Sequence, residues 1–115
     1  ILATPPDRRP DAIFAANDVM ALAVIDVARS ELGLQIPGDL AVVGFDDIGV
    51  AAHAAYDLTT VHQPVAAMID AAADMMQELL ADPSRRPSDR RLASRLVIRG
   101  SARPPRSHSN MENVA

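Results

Sequence analysis

The apolar residues of this chain fall in short runs that stop on polar side chains. "AIFAA", residues 12–16, stops on Asn17 and Asp18; "LAVVGF", residues 40–45, stops on Asp46 and Asp47; "LTTV", residues 58–61, runs into His62, Gln63 and Pro64. Short continuous runs rich in β-branched residues predict strands, and "AIFAA" and "LAVVGF" read as strands buried on both faces. Between them lie helical patterns. The stretch from Val19 to Val27 is apolar except for Asp26, which predicts a helix over about 19–32 that buries more than one face, with Asp18 as its N-cap and Gly33 at its end. Pro64 suits the first turn of a second helix running to about Ala81, where Val65, Met68, Ala72, Met75 and Leu79 recur at helical spacing before Pro83. Residues 48–56, "IGVAAHAAY", read as a weak short helix or a loop, and "RLASRLVIRG" as a last strand.

The order β-α-β-(α)-β-α-β predicts an α/β fold, a doubly wound parallel sheet with right-handed crossovers. In such sheets ligands bind beyond the carboxyl ends of the strands. Asn17, Asp46 and Gln63 occupy those ends or lie one residue past them, so the topology can bring three hydrogen-bonding side chains to one rim. Residues 1–10, with Pro5, Pro6 and Pro10, read as an N-terminal loop; residues 11–101 as the folded unit; residues 102–115 as a disordered tail.

Composition narrows the function classes. A length of 115 residues fits one domain or a piece of a larger one. With one Tyr, two Phe and no Trp, the core is aliphatic and alanine-rich. The absence of cysteine excludes a disulfide framework, a thiolate zinc site and a cysteine nucleophile, and favours a reducing, cytoplasmic setting. No apolar run approaches the ~18 residues of a membrane span, and the first residues lack the order of a signal peptide. They also lack an initiator methionine, so a fragment is expected. A net charge of −4 argues against nucleic-acid binding by bulk charge. Eight of the eleven arginines lie from Arg85 onward, which reads as a solvated region, with a phosphate-binding patch as the alternative. His53, His62 and His108 have no metal-ligand spacing. Neither a catalytic constellation nor a phosphate-cradling glycine loop is legible, so neither enzyme nor cofactor is expected.

Four stretches, "PDAIFAANDVMALAVID", "IPGDLAVVGFDDI", "LTTVHQPV" and "LVIRGSARPP", run in order from about Pro10 to Pro105. Together they resemble the effector-binding domain of the lactose-repressor (LacI/GalR) family of bacterial transcriptional regulators. The resemblance implies a helix-turn-helix headpiece followed by a two-lobed, periplasmic-binding-protein-like effector domain, of which this chain is the last part. It implies a sugar or nucleoside effector, a homodimer, contact with DNA only through the headpiece, and no membrane. The family's chain crosses between lobes near the "TTV-x-QP" motif and again before the last strand, which assigns the helix after Pro64 to the other lobe. By position, Asn17 and Asp46 resemble the polar contacts to effector hydroxyl or amino groups. Gln63 resembles a hinge residue that is a ligand contact in related sugar-binding proteins. Val65 and Met68 fall where the family has apolar pocket wall. Two departures are Ala23, where a glycine is usual, and "HAAYDLTT", where prolines are frequent.

Plainer roles compete for the same residues. Asn17 suits a turn, and Gln63 suits an N-cap-like position before Pro64. Asp47 suits a cap for the segment after it, leaving Asp46 to accept two sugar hydroxyls. In the resembling family the first helix and the segment after "FDDI" form part of the dimer interface. Met20, Val24, Val50, Ala51 and Ala55 are therefore the expected contacts. A periplasmic sugar-binding protein of the same fold is the alternative reading, and a doubly wound enzyme the third.

Overall fold

The computed structural model describes residues 2, 4–86 and 88–103. Most of the predicted elements form within a residue or two of the expected bounds. Strand β1 is Ala12–Phe14, helix α1 Asp18–Ser30, β2 Ala41–Asp46, β3 Thr59–His62, α2 Val65–Ala81 and β4 Arg95–Val97. Short 3-10 turns occupy Pro6–Arg8 and Gly49–Ala52. The expected loop at the N-terminus thus contains one turn, and the weak helix after Asp47 shrinks to another. Gly33 leaves α1 with φ +62°, as expected of a helix-ending glycine. The predicted tail from Pro104 onward lies outside the described residues.

The sheet has the order β1-β2-β3-β4. β1 and β3 flank β2 in parallel, with Phe14 beside Val43 and Phe45 beside Val61. β4 is antiparallel to β3, with Arg95 beside His62 and Val97 beside Thr60. The expected parallel sheet thus forms over β1, β2 and β3, and its last strand runs the other way. The reason lies in α2, which has no buried residue. A crossover helix must pack on the sheet to carry the chain back to the start of the next strand. This one leads away from the carboxyl end of β3, and the chain returns to that same end, so β4 runs the other way.

The core lies on the face covered by α1. Ala21, Ile25 and Ala28 of the helix pack with Leu40, Val42, Ala51 and Leu58, while Leu22, Val24 and Ile48 close its margin. Gly44 allows the close approach of α1: a β-carbon there would collide with the Asp18 carboxylate and touch Leu58 and Ala21. The opposite face is open. Phe14 is 64% exposed and Leu96 58%, so β1 is not the strand buried on both faces that its apolar run predicts. At the amino end of the sheet Ser101 is wedged between strands. Its hydroxyl donates to the Val42 carbonyl at 2.6 Å and accepts from the Thr59 amide at 2.8 Å.

Candidate functional site

The site is assembled where β1, β2 and β3 end. Asn17 caps α1, its Oδ1 accepting from the Met20 amide at 2.9 Å. The expectation that Asp18 is the cap is thereby corrected. Asp18 is the first residue inside the helix and is 0% exposed. Its Oδ2 accepts from the Ile48 amide at 2.9 Å and its Oδ1 from the Thr60 hydroxyl at 2.5 Å. The residue reaches across the sheet to tie α1 to the end of β2 and to β3. With Oδ1 engaged by the cap, Asn17 can still offer a ligand its Nδ2 group and the second lone pair of Oδ1.

The chain then turns sharply after β2. Asp46 has φ +118° and Asp47 φ +58°, values that cost a non-glycine residue on the order of 1–3 kcal/mol and persist only where the surroundings enforce them. Here the enforcement comes from side chains. Gln63 Nε2 donates to Asp46 Oδ1 at 2.5 Å. Arg99 Nη2 donates to Asp47 Oδ1 at 2.7 Å, and His62 Nδ1 lies 3.1 Å from Asp47 Oδ2. The Arg99 hydrogen bond, the Arg99 charge and His62 together outweigh desolvation and hold the Asp47 carboxyl below the usual carboxylate range. The expectation that Asp47 is a helix cap is also corrected. The 3-10 turn after it begins behind Ile48 without a side-chain cap, because both Asp47 oxygens face Arg99 and His62.

An open cleft of about 450 Å³ lies here, lined by the polar residues Asp46, Asp47, His62 and Gln63 and by Pro64, Val65, Ala66 and Ala67. Of the residues expected at a ligand, Asp46, Gln63 and Val65 meet here. Asn17 and Met68 do not line this cleft, and Met68 lies exposed on α2. The chemistry on offer is a half-buried carboxylate, a primary amide that can donate and accept, and an apolar wall. That set suits a polyhydroxylated or amino-bearing ligand, because a carboxylate accepts paired hydroxyl or amine hydrogens. His62 and Arg99 are the members that sequence reasoning missed. His62 was visible at the strand end, but the partner of Arg99 lies 52 positions away and no local spacing announces it.

A second feature is the outward side of α1. Met20 is 53% exposed and Val50 43%, and Ala55 is exposed in the loop that Arg29, in the last turn of α1, holds through the Ala55 carbonyl. Val24 is half-buried against the core. Ala51 is wholly buried, so it is corrected from interface to core residue: its amide and carbonyl are bonded to Ile48 and Leu58, and its methyl packs inward.

Comparison with known proteins identifies this architecture. The family of the periplasmic binding protein-like domain matches residues 2–102. The transcriptional repressor PurR of Aliivibrio fischeri is 39% identical over 82 residues, which cover 71% of this chain and 24% of that protein. The ribose operon repressor of Escherichia coli is 38% identical over 94 residues, 82% of this chain and 28% of that one. The chain thus spans about a quarter of the length of these curated relatives. The crystal structure of a LacI family regulator from Lactobacillus casei with bound sucrose superposes with a TM-score of 0.72 at 39% identity, over 87% of this chain and 36% of that one. The repressors and LacI family regulators are what this chain is similar to, and the chain belongs to the family of the periplasmic binding protein-like domain.

Proposed function

We propose that this chain is the last part of the effector-binding module of a bacterial transcriptional regulator, a repressor by the names of its relatives. Its strand-end rim takes a small sugar-like or nucleoside-like effector between two lobes. Asp46 binds hydroxyl or amino groups, Gln63 supplies an amide to the same ligand, Val65 covers its apolar side, and Asn17 and Met68 contribute from the margin. The observation that carries this reading is Asp46 itself. It is a carboxylate at the carboxyl end of a parallel strand, held in an unfavourable backbone conformation beside an open cleft. The sucrose in the L. casei regulator supports the sugar class.

In this reading the protein works in the cytoplasm as a homodimer and carries no catalytic activity. The dimer contact uses Met20, Val24, Val50 and Ala55, and DNA is met only through a headpiece outside this chain. Effector binding shifts the regulator between two states because its affinity for them differs. Titration calorimetry of the intact two-lobed regulator with its sugar tests the reading. Asp46→Ala is expected to weaken binding by at least ~1.5 kcal/mol, the scale of one charge-assisted hydrogen bond, and wild-type affinity in that variant contradicts it.

A further inference from the structure

The chain leaves the sheet through Gln63 and Pro64 into α2 and comes back to it at β4. Both passages are fastened to the same two-residue turn. Asp46 accepts from Gln63, one residue before the proline that opens α2. Asp47 accepts from Arg99, two residues past β4, and faces His62, the last residue of β3. Arg99 is in turn immobilised on the sheet: its Nη1 donates to the Leu58 carbonyl at 2.8 Å and its amide to Thr59 Oγ1 at 2.9 Å. The guanidinium therefore cannot follow the turn if the turn moves. Asp47 is the point at which a strained turn is pinned to a fixed cation.

We propose that the Asp47–Arg99–His62 clasp is the positioning element of the effector rim. It holds the turn where the Gln63 amide rests on Asp46 Oδ1, so that a ligand hydroxyl taking that oxygen displaces the amide and thereby loads the link into α2. The inference rests on the reading of Asp46 as the ligand-binding carboxylate. Asp47 touches no ligand in this scheme and acts through Gln63. The clasp supplies a physical element with two arrangements, Gln63 on Asp46 or Gln63 released, that ligand occupancy can bias.

The test is the exchange of the Gln63 side-chain amide hydrogens with water, followed by NMR in the ¹⁵N-labelled 115-residue chain beside its thermal unfolding. Asp46→Ala removes the acceptor and defines the released rate. Asp47→Asn is expected to raise the exchange rate at least tenfold toward that limit, although the Asp47 carboxylate bonds to Arg99 and His62 and not to Gln63. Arg99→Gln should do the same, and Arg99→Lys, which keeps a cation, should remain slow. A purely structural role for Asp47 would lower the melting temperature and leave Gln63 exchange at the wild-type rate, and that result overturns the proposal. Should Asp47→Asn not fold, equal exchange rates in Arg99→Gln and Arg99→Lys overturn it instead. Exchange is measured without ligand. Failure of sugar binding would therefore remove the effector reading while leaving the clasp standing, and unchanged exchange would remove the clasp alone.

Discussion

Replacing Asp18 by alanine should cost this fold far more than the loss of a helix cap. The carboxylate is fully buried and accepts two hydrogen bonds, one from the Ile48 amide and one from the Thr60 hydroxyl. Each bond to a charged acceptor contributes about 1.5–3 kcal/mol, and each donor left buried without a partner carries a further penalty. Against this stand the relief of carboxylate desolvation and the better helix propensity of alanine, the latter no more than about 0.7 kcal/mol. The balance is a loss of roughly 3–4 kcal/mol. Asn17→Ala, which removes the real cap, should lose only ~1 kcal/mol. Urea unfolding followed by circular dichroism gives both values from the shift in midpoint at constant slope. If Asp18→Ala loses no more than Asn17→Ala, the buried carboxylate is not the tie between α1, β2 and β3.

Gly44→Ala should destabilise by about 1–3 kcal/mol, since the added methyl collides with Asp18 and must push α1 outward; a thermal melt unchanged from wild type would refute that packing. The depressed Asp47 pKa stabilises the fold above the ordinary carboxylate value of 3.8 and is lost as pH falls through the lower folded value. The stability gap between wild type and Asp47→Asn should thus be constant at neutral pH and close below about pH 4, as read from acid titrations of both proteins. In the intact regulator, Met20→Arg and Val50→Arg place a charge on the exposed side of α1 and its neighbouring turn. Sedimentation should show monomers of unchanged fold, and a persistent dimer in both variants would place the interface elsewhere.

The parts of the fold that were legible in the sequence are those encoded by local pattern. The buried faces of α1 and β2 follow from apolar runs, and the ends of α1 and α2 from Gly33 and Pro64. The rim formed by Asp46 and Gln63 follows from strand order alone, because parallel strands place their carboxyl ends together. What was not legible depends on contacts between distant positions. Asp18 and Asn17 are adjacent and both suit a cap, and only the approach of Thr60 and Ile48 decides which one turns inward. Asp47 looks like a cap until Arg99 arrives from the far end of the chain. The apolar run of β1 suggests two covered faces, but a strand cannot announce whether a second layer exists. The direction of β4 is hidden for the same reason, since α2 has a helix pattern whether or not it has a sheet to cover.

Amide chemical-shift mapping of this chain with sucrose and with ribose tests whether Asp46 and its neighbours are the surface that meets the effector. A pocket that binds tightly encloses most of its ligand, whereas this cleft stands largely open to solvent. Binding no tighter than about millimolar, near −4 kcal/mol, is therefore expected. The shifts should concentrate at Phe45, Asp46, Asp47, His62, Gln63 and Val65 and disappear in Asp46→Ala. Shifts that survive that substitution, or that gather at the opposite cleft around Arg9, Leu34 and Asp39, would contradict the account.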